Sequence, residues 1–330
     1  MKIAVLDDWA HGFRKLSCYT RLKEHEVIVY HDTEKDPSRL AERLEGVDAV
    51  ILTQERSAFP RAVIEKLTTV KLVAQTGSHR RHIDLEACTE RGIIVASPSG
   101  KGVSVPTAEL TWALILASLR NIPHETEQLK KGAWQTTVGM GLRDQTLGIY
   151  ALGGIGSLVA QVGRAFGMKV ICWGRETSRS KVLEAGYEMP GSRDEFFSSV
   201  DILSLHIFYN EETCGIITSA DLASMKPTSL LINTSRARLI QEGALLAALE
   251  QGRPGRAAID VYEEEPIVNG DHPLLKLSNV ICTPHLGYAV TYAFESFYNK
   301  AIDSIIGFAS GIPVNWLNPE ALQLKQCGRF

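Results

Sequence analysis

The stretch LGIYALGGIGSLVAQVGRAFGMKVICWG, residues 147–174, decides the fold of this chain. It starts with an apolar run at 147–152, passes through a glycine turn and an amphipathic segment at 157–166, and ends in a second apolar run at 170–173. The order strand, turn, helix, strand is that of a mononucleotide-binding βαβ unit. We therefore predict a parallel α/β sheet with a nucleotide site at the turn.

The glycine turn favours a nucleotide site through Gly153, Gly154, Ile155 and Gly156. Gly153 lets the backbone approach a pyrophosphate, Gly156 lets the helix pack against its strand, and the free N–H groups at the helix start face the anion. Ala151 stands where the full fingerprint has its first glycine, and we expect it to keep a negative φ. A glycine turn also occurs as a plain connector, but the complete βαβ context favours a nucleotide.

The same rhythm extends along the whole chain. Continuous apolar runs suit parallel strands that helices cover on both faces. Two groups of runs are predicted as strands, at residues 3–6, 27–30, 49–52, 71–75 and 93–96, and at residues 147–152, 170–173, 202–205, 230–233, 257–260 and 280–282. The stretch 97–102, rich in Ser, Pro and Gly, separates them. The pattern predicts an α/β chain with two doubly wound parallel sheets and with helices at 105–119 and 289–309.

The composition is that of an ordinary globular protein, with 45% hydrophobic and 22% charged residues among 330. The 35 Lys and Arg residues nearly balance 38 Asp and Glu residues, and no basic cluster stands out. We therefore expect a small-molecule substrate rather than a nucleic acid or an anionic membrane as the partner.

Membrane insertion and secretion are not expected. The longest apolar run, at 112–117, is far shorter than the ~20 residues that span a bilayer. The opening MKIAVLDDWA has the pattern of a first β-strand rather than of a secretion signal. A cytoplasmic location is the expectation.

The end of the second strand of the βαβ unit bears on the choice of nucleotide. An acidic residue here would bind the ribose 2′-hydroxyl of NAD, but the chain has Gly174 and Arg175, followed closely by Ser178 and Arg179. A guanidinium beside small residues suits a 2′-phosphate, so we predict NAD(P)H as cofactor with NADPH preferred. A solvated loop arginine is the alternative.

Polar side chains follow three later strands of the same predicted sheet: Arg236 in NTSRAR, Asp260 and Glu265 in DVYEEEP, and His285 in TPHLG. The carboxyl ends of parallel strands meet at one edge, where ligands bind. An arginine can bind a 2-oxo acid through its planar fork of donors, and a histidine can donate a proton to a developing alkoxide. Each residue taken singly has an ordinary structural explanation.

Together these motifs resemble the D-isomer-specific 2-hydroxyacid dehydrogenase family from about residue 71 to residue 287. The motifs that carry the resemblance stand in the family's order: residues 75–84 before RGI at 91–93, TAEL at 107–110, the glycine turn, SLH at 204–206, NTSR, DVYEEEP and TPHLG. The resemblance implies hydride transfer between a nicotinamide and a small 2-oxo or 2-hydroxy acid. It also implies a catalytic trio in which Arg236 binds substrate while Glu265 orients and charges His285.

The resemblance places further residues along the cofactor. These are Thr107, Gly153, Gly154, Ile155, Gly156, Gly174, Arg175, His206, Thr213, Ser235 and Asp260. Asp260 would accept a hydrogen bond from the nicotinamide carboxamide, although it could instead cap the loop that follows its strand. No metal is implied.

The family's architecture implies a flavodoxin-like substrate domain of residues 1–98 and 293–330, and a Rossmann-type dinucleotide domain of residues 99–292. The substrate loop would use Gly77, Ser78 and His79 beside Arg236, with His79 in place of a usual glycine and Arg81 in place of a usual acid. A homodimer is also expected. The residues Trp112, Leu116 and Trp134 are predicted to lie in the core or at a dimer contact.

Two alternatives stay open. One is a formate- or phosphite-oxidising enzyme on this scaffold, although formate-oxidising relatives carry glutamine where Glu265 stands. The other is a nicotinamide-sensing corepressor-like interaction protein, because such proteins share this fold and even the trio.

Overall fold

A computed structural model describes residues 1–78, 80–98 and 104–322. The predicted substrate-loop residue His79 and the predicted domain boundary between residues 98 and 99 fall outside these ranges. The chain divides into two compact units, one of Met1–Gly102 with Val290–Phe330 and one of Val103–Ala289.

The first unit contains a five-stranded parallel sheet in the order β2-β1-β3-β4-β5. Its strands are Lys2–Val5 (β1), Glu26–Val29 (β2), Ala49–Leu52 (β3), Leu72–Gln75 (β4) and Ile94–Ala96 (β5). Its α-helices are Pro37–Arg43 (α1), Arg61–Ile64 (α2), Leu85–Glu90 (α3) and, in chain order, Thr291–Ala309 (α11), with 3-10 turns at Phe13–Lys15 and Ser17–Leu22. Every residue of β3 and β4 is buried, because apolar side chains on both faces meet a core layer.

The segment after α11 joins the edge of this sheet. The Leu317 N–H donates to Val95 O at 2.9 Å, and an isolated antiparallel bridge joins Trp316 to Ala96. The buried Asn318 side chain accepts from Val95 N–H at 2.7 Å. The sequence pattern showed no strand in this tail, because a single bridge leaves no periodicity to detect.

The second unit contains a six-stranded parallel sheet in the order β11-β10-β9-β8-β6-β7. Its strands are Thr146–Tyr150 (β6), Lys169–Trp173 (β7), Ile202–Leu205 (β8), Leu230–Asn233 (β9), Arg256–Ile259 (β10) and Val280–Cys282 (β11). Its α-helices are Val105–Leu119 (α4), Ile122–Lys130 (α5), Gly154–Ala165 (α6), Arg179–Glu184 (α7), Arg193–Ser199 (α8), Ser219–Ser224 (α9) and Ala244–Glu250 (α10). Short 3-10 turns lie at Glu176–Ser178, Glu211–Thr213, Ala237–Leu239 and Pro273–Lys276.

The strand order reverses between β6 and β8, which makes this sheet doubly wound. Separate apolar clusters cover its two faces, and α4, α6, β6 and β9 contribute to one of them. Trp112 is buried in that cluster, with its ring 5.2 Å from the Phe166 ring, whereas Trp134 is 77% exposed. The predicted fold class, two parallel α/β sheets, is confirmed.

Helix ends differ from the sequence prediction by a few residues. Helix α6 starts at Gly154 rather than at residue 157, so that two of the turn glycines belong to its first turn. Helix α11 starts at Thr291 rather than at residue 289, because Val290 has an extended backbone. Within the described ranges, no helix combines the length and apolar character needed to cross a membrane.

Candidate active site

The glycine turn after β6 leaves space for an anion beside the start of α6. A Cβ on Gly153 would meet no atom of the described residues within 4 Å, so the space above this residue is open as far as those residues define it. A Cβ on Gly156 would lie 2.3 Å from Ala151 O, so α6 approaches its strand as closely as the backbone allows. The unpaired N–H groups of the first helical turn therefore face an open position, which suits the pyrophosphate of a dinucleotide.

Ala151 corrects one expectation from the sequence. Its φ is +76°, in the left-handed region that L-residues avoid, rather than below zero. The Ala151 N–H donates to Trp173 O at 2.8 Å, and its carbonyl accepts from Gly153 N–H at 3.0 Å. These bonds hold the turn in the shape that a glycine would adopt freely, at a cost of about 1–2 kcal/mol.

Gly174 and Arg175 follow β7 at the same edge of the sheet. The Arg175 guanidinium is largely exposed, with Nη2 3.4 Å from Glu212 Oε2. Arg179 is turned to its own helix end, with Nε 2.7 Å from Glu176 Oε1. Glu212 was not predicted at this position, because it comes from the 3-10 turn after β8, 37 residues away from Arg175.

His206 follows β8, and its imidazole lies in a protected position. Its Nε2 is 2.9 Å from Ser204 Oγ, while its Nδ1 is buried and has no hydrogen-bond partner among the described residues. Burial lowers the pKa of His206 to about 3, so the ring is neutral at pH 7. It offers a hydrogen-bonding group, rather than a charge, at the carboxyl edge of the sheet.

Asn233, at the end of β9, shapes the loop that carries Ser235 and Arg236. Its side-chain amide donates to Arg236 O at 3.0 Å, and its Oδ1 accepts from Ser235 N–H at 3.0 Å. Ser235 Oγ in turn donates to Leu205 O at 3.0 Å. The Arg236 guanidinium, through Nη1, donates to Ser235 O at 2.8 Å, so both side chains have a defined direction.

Asp260, at the end of β10, holds the loop that carries His285. Its Oδ1 accepts from Thr283 Oγ1 at 2.6 Å and from Leu286 N–H at 2.7 Å, and its Oδ2 accepts from Gly287 N–H at 2.9 Å. The carboxyl is fully buried, and burial raises its pKa. The Asp260 carboxyl thus caps the loop that follows β11 rather than the loop that follows its own strand.

His285 and Glu265 are brought together although 20 residues separate them. His285 Nδ1 lies 2.6 Å from Glu265 Oε2, and both side chains are 19% exposed. Glu265 Oε1 accepts from Tyr262 N–H at 3.0 Å, which fixes the carboxylate. His285 itself has φ +53°, an uncommon backbone conformation that the Asp260-held loop maintains.

Two residues outside the predicted trio complete the support of this loop. Thr107, at the start of α4, donates through Oγ1 to Gly287 O at 2.8 Å. The ring of Tyr288 meets the His285 ring edge-on, with centroids 5.4 Å apart. Thr283 and Gly287 were not predicted, and the only sequence signal for them was their place in the TPHLG motif.

Thr213 is buried in the turn after β8, where its hydroxyl donates to Phe208 O at 2.9 Å.

In the first unit, Gly77 O accepts from Ser97 Oγ at 3.0 Å, and a Cβ on Gly77 would lie 2.6 Å from Gln54 Oε1. Ser78 follows directly in this loop. Among the described residues, no group of three or more His, Cys, Asp or Glu side chains could hold a metal ion.

The second unit matches the model of a known family. The family description is "D-isomer specific 2-hydroxyacid dehydrogenase, NAD binding domain", and the match covers residues 112–287. These residues include the glycine turn, Arg236 and the Glu265–His285 pair.

Individual relatives extend the similarity beyond this unit. The glyoxylate reductase of Thermococcus litoralis is 34% identical over 314 residues, which cover 91% of this chain and 92% of the relative. The D-3-phosphoglycerate dehydrogenase of Methanocaldococcus jannaschii is 39% identical over 251 residues, 75% of this chain but only 47% of that longer protein. A solved phosphoglycerate oxidoreductase from Vibrio cholerae O395 is 43% identical, with a TM-score of 0.90 over 94% of this chain and 99% of that one.

Proposed function

The chain belongs to the D-isomer specific 2-hydroxyacid dehydrogenase family, and we propose that it reduces the ketone of a small 2-oxo acid to a D-2-hydroxy acid with Arg236, Glu265 and His285. Its membership makes it an oxidoreductase that uses a nicotinamide cofactor. The single observation that carries the proposed mechanism is the 2.6 Å contact between His285 Nδ1 and Glu265 Oε2.

His285 acts as the proton donor in this proposal. Its Nδ1–H donates to Glu265, which leaves the proton on Nε2 for the substrate oxygen. The Glu265 carboxylate is fixed by Tyr262 N–H and holds the imidazole ring through Nδ1 at 2.6 Å. A nicotinamide cofactor, when bound, would supply the hydride that the carbonyl carbon accepts. His285 then returns to the neutral form and takes a proton from water.

Arg236 binds the substrate. A planar guanidinium can donate to one carboxylate oxygen and to the carbonyl oxygen of a 2-oxo acid at once. The Asn233 amide holds the Arg236 carbonyl at 3.0 Å, so the backbone that carries the guanidinium is set in advance. Positioning and charge stabilisation by Arg236 then assist the proton transfer from His285.

A loop of the first unit is also part of this proposal. Backbone N–H groups at Gly77 and Ser78 would bind the substrate carboxylate, and a Cβ on Gly77 would require the Gln54 side chain to move, since its Oε1 would lie 2.6 Å away. His79 belongs to the same proposed loop. Residues 1–98 and 293–330 would therefore form the substrate domain, and residues 99–292 the dinucleotide domain.

NADPH is the proposed preferred cofactor. Gly174 leaves room beside the adenosine ribose, since a Cβ there would make only ordinary contacts with Ser178 at 3.7 Å and beyond. Arg175 is the exposed cation next to it, and a guanidinium pairs well with a 2′-phosphate. Thr107, His206, Ser235 and Asp260 would line the nicotinamide side, with Asp260 acting through the His285 loop.

A homodimer is proposed from residues 134–138, an arm that follows α5 in the second unit. The Glu125 carboxylate accepts hydrogen bonds from Thr136 and Thr137, which lower its pKa to about 2 and fasten the arm to α5. The arm presents Trp134 and Val138, which are 77% and 95% exposed. We propose that these two apolar side chains form part of the contact between two copies of the chain. Trp134→Ser is expected to convert a dimer to a monomer in analytical ultracentrifugation.

The decisive experiment measures the oxidation of NADPH and NADH with glyoxylate, hydroxypyruvate, pyruvate and phenylpyruvate. We expect turnover with at least one acid, and a loss of at least 10²-fold in kcat for His285→Ala with cofactor affinity unchanged. His272→Gln is the matched control, because His272 Nε2 also faces a glutamate, Glu263, at 3.2 Å but outside the proposed trio.

Unchanged turnover in His285→Ala would remove His285 from the mechanism. Tight cofactor binding without turnover on the whole panel would instead support the corepressor-like alternative. Oxidation of formate or phosphite, with no reduction of any 2-oxo acid, would support the other alternative.

A further inference from the structure

Four charged side chains alternate in sign around Gly174. Arg179 Nε lies 2.7 Å from Glu176 Oε1, and Arg175 Nη2 lies 3.4 Å from Glu212 Oε2. The two positive and two negative charges cancel. The region is therefore less favourable for a phosphate dianion than the sequence near Arg175 suggests.

Glu212 is held on a short, well-ordered turn. Thr213 N–H donates to Asn210 Oδ1 at 2.9 Å, and Asn210 N–H donates to Thr213 Oγ1 at 2.8 Å, so each end of the turn caps the other. The Thr213 hydroxyl also donates to Phe208 O. The buried Thr213 thus fixes the backbone that carries the Glu212 carboxylate, and the carboxylate can retract from Arg175 only by rotation of its own side chain.

We propose that Glu212 is a second specificity-determining residue for the cofactor, and that it opposes the 2′-phosphate of NADPH. This inference rests on the proposed function, which places the adenosine ribose beside Gly174. A 2′-phosphate that pairs with Arg175 has to compete with Glu212 for the guanidinium, and it also meets the Glu212 charge at close range. The ribose of NADH carries no such charge and is not affected in this way. The balance between Arg175 and Glu212 therefore limits the preference for NADPH and leaves NADH usable.

The test uses the binding of cofactor fragments, so that its result does not depend on catalysis. Isothermal titration of the full chain with adenosine 2′,5′-bisphosphate and with adenosine 5′-monophosphate measures the contribution of the 2′-phosphate. For Glu212→Gln we expect about threefold to tenfold tighter binding of the bisphosphate, because one negative charge several ångströms from the dianion is removed. Binding of the monophosphate should change less than twofold.

Glu211→Gln is the matched control. It removes the same charge from the same turn, but among the described ion pairs Arg175 is joined to Glu212 and not to Glu211. Its effect should stay below twofold for both ligands. Arg175→Gln should weaken the bisphosphate by more than tenfold and leave the monophosphate unchanged. The gain in Glu212→Gln should also shrink in 1 M salt, because exposed charges are screened.

The proposal is overturned if Glu212→Gln binds the bisphosphate no better than Glu211→Gln does, or binds it more weakly than the unmodified chain. A wild-type preference for NADH over NADPH would count against the proposed NADPH preference alone, since the comparison of Glu212→Gln with Glu211→Gln measures the opposing charge by itself. Absence of 2-oxo acid reduction would count against the proposed reaction and would leave these binding results standing.

Discussion

A methyl group added to Gly156 is expected to destabilise the second unit and to weaken cofactor binding. The new Cβ would lie 2.3 Å from Ala151 O and 3.1 Å from Ile149 Cγ2. The first contact is about 1 Å closer than van der Waals surfaces allow, and the atom it meets is backbone that also accepts from Gly153 N–H. Overpacking of this kind costs about 1–3 kcal/mol, which exceeds the gain of up to about 1 kcal/mol from replacing a helical glycine by alanine.

Gly153→Ala provides the matched control for this prediction. A Cβ there meets no atom of the part of the chain that the structure describes within 4 Å, and φ of -87° suits any L-residue. The free energy of unfolding should therefore change by less than about 0.5 kcal/mol, or rise slightly because the unfolded chain loses freedom. Cofactor affinity should nevertheless fall by at least tenfold, since the methyl group occupies the open space where a pyrophosphate would lie.

Two measurements separate the effects of the two variants. Urea unfolding in the absence of cofactor, followed by far-UV circular dichroism, reports the free energy of unfolding, and titration with NADPH and NADH followed by fluorescence reports affinity. We expect Gly156→Ala to lower both the free energy of unfolding and the cofactor affinity. Gly153→Ala should lower only the affinity. A Gly156→Ala protein as stable as the unmodified chain would refute the assignment of close helix-to-strand packing to Gly156. A Gly153→Ala protein with normal affinity would refute the placement of the pyrophosphate.

Three further predictions concern strained or buried positions. Ala151→Gly should raise the free energy of unfolding by up to about 1 kcal/mol, because φ +76° costs alanine more than glycine loses in entropy; a loss of stability in urea unfolding would contradict this. Asp260→Asn should turn an amide N–H₂ toward the N–H groups of the 283–287 loop. This should lower the free energy of unfolding by about 1–3 kcal/mol and kcat by at least tenfold. Thr283→Val, which removes one of the three described hydrogen bonds to the Asp260 carboxylate, should have a smaller effect in the same assays. Burial raises the pKa of Asp7 above 3.8, so the folded state retains this proton to higher pH and stability falls as pH rises from 3.8 through the raised pKa. Asp7→Asn should therefore be more stable than the unmodified chain at pH 7, by about 1 kcal/mol, and equal to it below about pH 4, and a constant difference across a pH series of urea unfolding would contradict the assignment to Asp7.

Much of the fold could be predicted because parallel strands leave a local record. A strand buried on both faces is mostly apolar, so β3, β4, β8 and β9 stand out as largely apolar runs, even though Gln75, Ser204 and Asn233 lie within them. Helix ends were predicted less well. At α6 the turn glycines themselves adopt helical geometry, which no polar capping residue announces.

The amino-acid sequence by itself determined which residues end each strand of the second unit, and so which polar side chains reach one edge of its sheet. Only the tertiary structure decided how those side chains pair. Glu265 meets His285 across 20 residues, Asp260 binds the 283–287 loop rather than facing outward, and Glu212 reaches Arg175 across 37 residues. The reason is physical: the apolar runs that mark strands are local in the sequence, whereas contacts between loops depend on strand order and register, which the whole sheet sets cooperatively.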